Sequence, residues 1–197
     1  MKIERVTLEG LFVRLEPLGE HHHAALCEAG LDPELWKLIP IRVQTPEDMR
    51  LWIRKLLEAE SKGTDLPFAT GDRSSGKVVG GTRFMNIDIV NRHVEIGGTW
   101  VAPQWQRTAI NTEAKYLMLQ HAFEVWKCFR VELKTDALNQ KSRDAILRIG
   151  AKEEGTLRKH TITWDGRVRD TVYFSILDTE WPRVKLDLEQ KIRMAKT

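Results

Sequence analysis

Residues 93–114 read HVEIGGTWVAPQWQRTAINTEA, and this stretch decides the fold. Its first nine residues have the composition of a β-strand, and the glycine pair at 97 and 98 predicts a bulge within it. A loop follows, and from Ile110 the apolar residues recur at helical spacing. A strand that leads through a loop into a helix presents free backbone N–H groups at the positive end of the helix dipole. The stretch therefore predicts a binding site for phosphate.

The sequence before this stretch predicts a mixture of strands and helices. Thr45-Pro46-Glu47-Asp48 has the pattern of a capped helix start, and the turn formers at 71–76 separate two strands. We expect a strand over 7–15, a short helix over 21–29, a helix from Thr45 to about residue 62, and strands over 66–70 and 77–87.

The sequence after it continues in alternation and ends in a hairpin. We expect a helix over 110–126, a strand over 130–136, a helix over 139–149, strands over 152–164 and 167–177, and a terminal helix from Trp181. Asp165-Gly166 is a strong two-residue hairpin turn. The order predicts an α/β protein of the α+β type, with a mixed sheet and helices on both faces. We expect a single domain over 1–197, in which 181–197 is a C-terminal helical extension.

Composition excludes several classes of protein. The 31 basic and 28 acidic residues give a formal charge of +3, which is too balanced to indicate nucleic-acid binding and is compatible with a small anionic ligand. The two cysteines, Cys27 and Cys128, are far apart and form no C-x-x-C pattern, so we expect neither a disulfide nor a metal site. No apolar run is long enough for a signal peptide or a membrane span, and we expect a cytoplasmic protein.

Three groups of residues carry a family resemblance. They are the loop QRTAIN at 106–111, the segment NQKS at 139–142, and the set GTLR at 155–158, DGR at 165–167 and DTVYFS at 170–175. With these segments in this order, the chain resembles the Gcn5-related N-acetyltransferases (GNAT), and within them the RimJ/RimL-like branch. The family writes its loop as Gln/Arg-x-x-Gly-x-Gly/Ala, and this chain departs from it at Ala109 and Asn111.

The resemblance implies a fold, a co-substrate and its binding residues. The GNAT fold has a single mixed, mostly antiparallel sheet of about seven strands with helices on both faces. Acetyl-CoA, or coenzyme A as product, would be the ligand, and no metal is required. The residues that the resemblance assigns to this ligand are Trp100, Val101, Gln106, Arg107, Thr108, Ala109, Ile110, Asn111, Thr112, Asn139 and Ser142.

The resemblance also implies catalytic roles in acetyl transfer to a primary amine. Relatives often have a glutamate at the position of Glu95, which deprotonates the incoming ammonium through water. Many members carry a tyrosine seven residues after the position of Asn139 to protonate the leaving thiolate, and this chain has Ile146 there. Ser142 is our first candidate for that acid and Tyr173 the second.

Plainer interpretations stay open for the same residues. Glu95 could be an ion-paired strand residue, and Asn139 and Ser142 could serve only as helix caps. The acceptor could be a protein or peptide N-terminus, a small amine, an amino acid or an antibiotic, and a catalytically idle CoA-binding module is a further alternative. An RNA-associated role rests only on mild basicity, and a homodimer is expected by analogy with the branch.

Overall fold

The computed structural model describes residues 1–196. Eight strands and five α-helices form the fold of this part of the chain. The strands are β1 (Leu8–Glu9), β2 (Val13–Pro17), β3 (Leu66–Asp72), β4 (Val78–Asp88), β5 (His93–Val101), β6 (Arg130–Asp136), β7 (Lys152–Ile162) and β8 (Val168–Leu177). The α-helices are α1 (His23–Gly30), α2 (Pro46–Ser61), α3 (Ala109–Gln120), α4 (Gln140–Arg148) and α5 (Trp181–Met194).

The strands form one mixed sheet in the order β1-β2-β3-β4-β5-β6-β8-β7. Each neighbouring pair is antiparallel except β5 and β6, which run parallel. The fold class is therefore confirmed, and the strand number is eight where about seven were expected.

The additional strand arises because 7–15 is a hairpin and not one strand. The chain turns between β1 and β2, and the carboxylate of Glu113 in α3 accepts hydrogen bonds from the backbone N–H groups of Leu11, Phe12 and Val13 at 2.7, 2.6 and 2.9 Å. A buried acceptor a hundred residues away satisfies the donors of the turn, so no local pattern could have predicted it.

Helices cover both faces of the sheet, as expected. Helices α3, α4 and α5 contribute Met118, Ile146 and Leu188 to a core that also includes Val94 and Ile96 of β5. On the opposite face α2 packs over a second core. The centre of that core is a tryptophan cluster of Trp36, Trp52 and Trp100, whose ring centroids lie 5.4 to 6.1 Å apart.

The predicted boundaries hold for α2, whereas the type of helix changes near the end of the segment predicted over 110–126. Thr45 and Asp48 form the expected reciprocal cap. The α-helical part of this segment ends at Gln120, and a single π-helical turn, His121–Val125, follows it. Trp126 follows it and packs against Phe84 at 4.5 Å between ring centroids.

Two further expectations concern cysteines and membranes. Cys27 and Cys128 are free thiols. Within residues 1–196 there is no helix with the length and apolar character that a bilayer crossing requires.

Candidate active site

A gap opens in the sheet between β5 and β6. The two strands pair only at His93 with Arg130, Val94 with Val131 and Glu95 with Glu132. Beyond these pairs β5 continues to Val101 and β6 to Asp136, but no further pairing joins them among the described residues. Strand β5 therefore has unpaired backbone groups along 96–101, which an extended ligand could bind in the way that a further strand would.

The predicted bulge lies in the unpaired part of β5, just beyond its last pair with β6. The register of β4 and β5 shifts between Gly81, which faces Trp100, and Arg83, which faces Gly97. Gly98 adopts a φ of +58°, a left-handed conformation that glycine accommodates without strain.

The bulge reverses the alternation of side chains along this strand. Simple alternation puts Glu95, Gly97 and Thr99 on the same side. In the structure the extra residue reverses the alternation, so Thr99 turns towards α3 and contacts Lys115 at 2.5 Å. Trp100 then turns to the tryptophan cluster on the other face.

The loop after β5 leads into the N-terminus of α3, as the phosphate-site hypothesis requires. Thr108 is the N-cap, and its hydroxyl accepts from the N–H of Ile110 at 3.4 Å. Ala109, Asn111 and Thr112 lie in the first turn, where backbone N–H groups have no acceptor within the helix. Arg107 is exposed at the tip of the loop with a φ of +64°, an unusual conformation for a residue with a side chain.

A lysine that the sequence analysis gave no role joins this loop. Gln106 donates from Nε2 to the carbonyl of Val101 at 2.9 Å and accepts from Nζ of Lys141 in the first turn of α4. Arg107 and Lys141 thus bring two cations to the end of the gap. Lys141 stood inside the quoted NQKS segment, but only the folded chain shows that it reaches Gln106.

The residues present fit a CoA-type ligand, because the first-turn N–H groups of α3 and the cations Arg107 and Lys141 are donors for a diphosphate. The side-chain oxygen of Asn111 is buried and has no hydrogen-bond partner among the described residues. An amide oxygen only accepts hydrogen bonds and an ionised phosphate offers no donor, so this oxygen is not a partner for the pyrophosphate. Asn111 is the position at which this chain departs from the family loop.

Asn139 and Ser142 form a helix cap, which was the plainer of their two interpretations. Asn139 Oδ1 accepts from the N–H of Ser142 at 3.0 Å. Neither Asn139 Nδ2 nor the Ser142 hydroxyl forms a hydrogen bond within the described residues, so both remain free for a ligand. No hydrogen bond or ion pair of residues 1–196 connects Ser142 with Glu95.

Glu95 lies at the closed end of the gap and belongs to a polar cluster. Its side chain is 3 % exposed, and its Oε2 lies 2.9 Å from Nζ of Lys134. Asn86 donates to the same oxygen at 2.8 Å. The ammonium of Lys134 lies 5.6 Å from the ring centroid of Tyr173. The structure therefore brings Glu95 and Tyr173 together through Lys134, on the sheet face opposite α3.

A buried ion-pair cluster lies farther along this face. The carboxylate of Asp136 is fully buried and pairs with Arg167, while Nε of Arg169 lies 3.9 Å from it. Burial lowers the pKa of the Arg169 guanidinium, and its Nε has no hydrogen-bond partner among the described residues. Two guanidinium groups thus share one carboxylate.

The tip of the β7–β8 hairpin contacts the segment between α1 and α2. Trp164 donates from Nε1 to the carbonyl of Trp36 at 3.4 Å, and Arg42 lies over the Trp164 ring at 5.5 Å from its centroid. The rings of Trp36 and Trp52 are buried in the tryptophan cluster. Arg42 and Trp164 are the exposed side chains there.

Comparisons with known proteins agree with this geometry. A profile described as the acetyltransferase (GNAT) domain matches residues 13–152. A GCN5-related N-acetyltransferase from Brucella melitensis is 34% identical, covers 98% of this chain and 87% of its own, and superposes with a TM-score of 0.91. RimJ of Mycobacterium smegmatis, solved in complex with CoA-disulfide, is 24% identical with a TM-score of 0.83 over 95% of each chain and supports the fold alone.

A curated relative adds a name. A Bacillus subtilis (strain 168) protein, provisionally named ribosomal N-acetyltransferase YdaF, is 37% identical over 106 residues. That match covers 54% of this chain and 57% of the relative, so it spans little more than half of either protein.

The chain belongs to the GNAT acetyltransferase family. Its domain is thereby that of an acyltransferase that uses acetyl-CoA, as the resemblance implied. The name of the Bacillus protein agrees with the RimJ/RimL-like branch.

Proposed function

We propose that this protein transfers the acetyl group of acetyl-CoA directly to a primary amine, and that this amine is the N-terminus of a protein or peptide. The observation that carries the proposal is the gap between β5 and β6, which has a buried glutamate at its closed end and a helix N-terminus with two cations at its open end. A pantetheine arm would pair with the free backbone of 96–101, and the pyrophosphate would meet Arg107, Lys141 and the first turn of α3.

Glu95 is the proposed base. An amine is protonated near neutral pH and must lose a proton before it attacks a thioester. Glu95 is held in place by Asn86 and Lys134, and its second carboxylate oxygen, Oε1, forms no hydrogen bond within the described residues. That oxygen is available to accept the proton through a water molecule.

Two hydroxyl groups compete for the role of the acid that protonates the leaving thiolate. Ser142 has a free hydroxyl beside the open end of the gap, and Tyr173 lies beside Lys134 and therefore near Glu95. The variants Ser142→Ala and Tyr173→Phe separate them, because loss of the acid lowers kcat by about a hundred-fold or more whereas loss of the other hydroxyl does not.

The acceptor is inferred from the relative's name and from charge. The Bacillus relative is named for action on the ribosome, which supports a protein N-terminus. The Arg169 guanidinium, whose Nε has no hydrogen-bond partner among the described residues, favours an acceptor that carries an acidic group near its amine. Peptides that differ only in an acidic or a basic second residue test this preference, and equal kcat/KM values would contradict it. A homodimer remains a prediction from the resemblance.

The decisive experiment on the base replaces Glu95 with glutamine. We expect kcat to fall by about a hundred-fold or more, while the Kd for acetyl-CoA stays within two-fold of the wild-type value. Glu132→Gln is the matched control, because Glu132 is the register partner of Glu95 and is also ion-paired, at 2.8 Å from Arg130. Equal turnover of both variants would remove Glu95 as the base.

A panel of amines offered to the wild-type protein tests the idle-module alternative. The existing ion pair of Glu95 with Lys134 is the observation that favours it, since a purely structural glutamate would be paired in this way. A wild-type protein that binds acetyl-CoA but acetylates no amine in a panel of peptides, amino acids and small amines would support the module.

A further inference from the structure

Lys115 is a buried lysine at the bulge of β5. It lies in the second turn of α3, with 6% of its surface exposed, and faces the sheet. Its Nζ donates to the hydroxyl oxygen of Thr99 at 2.5 Å and to that of Thr82 at 3.2 Å. The two threonine hydroxyls also bond each other at 2.8 Å.

No carboxylate compensates this charge. Lys115 takes part in none of the ion pairs of the described residues, and burial alone lowers its pKa from 10.5 to about 7. Replacement of a buried charge by a well-packed apolar side chain is often neutral or stabilising. Methionine has nearly the same length, and Thr82 and Thr99 would still bond each other. Stability of the fold therefore does not explain a lysine here.

The position of Lys115 suggests what does explain it. Thr82 and Thr99 lie on β4 and β5 at the place where their register shifts. By holding Thr99 on the side of α3, the ammonium fixes the reversed alternation after Gly98 and so the direction of the backbone over 98–101. The same helix forms the phosphate site at its N-terminus. Lys115 thus couples that end of the gap to the unpaired strand.

We propose that Lys115 is a positioning residue for acetyl transfer, which holds the bulged segment of β5 where the acetyl thioester must align. The inference rests on the proposed course of acetyl-CoA along β5. It requires no contact between Lys115 and the ligand, because the effect passes through Thr99 and the backbone of 98–101.

The test compares three variants of the full chain. Lys115→Met removes the donor, and Lys115→Gln retains a shorter one. Met118→Leu is the matched control, since Met118 is fully buried on the same helix and its Sδ lies 3.7 Å from the Thr82 hydroxyl. Melting temperature, kcat and the KM values for acetyl-CoA and for the amine are measured for each.

We expect Lys115→Met to keep or raise the melting temperature and to lower kcat/KM for acetyl-CoA by about ten-fold, with the KM for the amine within two-fold. Lys115→Gln should recover part of the loss, and Met118→Leu should behave like the wild type. A lower melting temperature together with equal increases in the KM values for acetyl-CoA and for the amine would overturn the proposal and leave a structural role. Unchanged kinetics of Lys115→Met would also overturn it. Failure of the wild type to bind acetyl-CoA would instead contradict the proposed function.

Discussion

The buried ammonium of Lys115 predicts a pH dependence of stability that its methionine variant lacks. An unfolded lysine has a pKa near 10.5, whereas burial lowers the folded value to about 7. Between these values the unfolded chain binds a proton that the folded chain does not, so the free energy of unfolding rises with pH. Below about pH 7 both states are protonated, and the folded protein carries the full cost of the buried charge.

The magnitude follows from the size of the pKa shift. One pKa unit corresponds to about 1.4 kcal/mol, so the shift of Lys115 amounts to about 5 kcal/mol as an upper bound. Relative to the wild type, Lys115→Met should therefore be most stable at pH 6. Its advantage should decrease by about 1.4 kcal/mol per pH unit above pH 7.

Urea unfolding of both proteins at pH 6, 8 and 10 measures this difference directly. Subtraction of the two curves removes the titration of all other groups, because the proteins differ only at Lys115. A difference in unfolding free energy that is the same at all three pH values would refute the assignment of a buried, uncompensated charge.

Three further substitutions test the structure around the site. Glu113→Gln should lower the free energy of unfolding by about 2 kcal/mol, since an amide cannot accept all three backbone hydrogen bonds of the β1–β2 turn, and urea unfolding measures the loss. Arg107→Gly should leave the free energy of unfolding unchanged or raise it, because the φ of +64° at this position suits glycine. The same variant should raise the Kd for acetyl-CoA about ten-fold, and an unaltered Kd would exclude Arg107 from the phosphate site. Gly80→Ala should abolish acetyl-CoA binding and lower the melting temperature, because its Cβ would lie 2.2 Å from the carbonyl oxygen of Trp100, and wild-type behaviour in both assays would contradict the close packing of β4 on β5.

Local patterns predicted the centre of the sheet well. The bounds of β5 and β6 agree with the sequence prediction to the residue, because alternation and turn formers mark both ends of each strand. The strand, loop and helix start of the proposed phosphate site were also predictable, since they are contiguous in sequence. The family resemblance added the proposed roles of Glu95, Ser142 and Tyr173, which no periodicity could supply.

The parts that sequence could not predict depend on contacts between distant residues. The β1–β2 hairpin depends on Glu113, and the direction of Thr99 depends on how a bulge at Gly98 reverses the alternation. Lys115 falls among apolar positions of a helix, where a lysine is ordinarily expected to reach solvent. Its burial is set by the two threonines that it meets on β4 and β5.

Every proposed catalytic role depends on the binding of acetyl-CoA in the gap between β5 and β6, with the loop at its open end. Isothermal titration of the purified wild-type protein with acetyl-CoA, with ATP as a control for general anion binding, tests it most directly. We expect micromolar binding of acetyl-CoA and no binding of ATP. No heat with acetyl-CoA, together with no binding in equilibrium dialysis, would contradict the assignment and every catalytic role built on it.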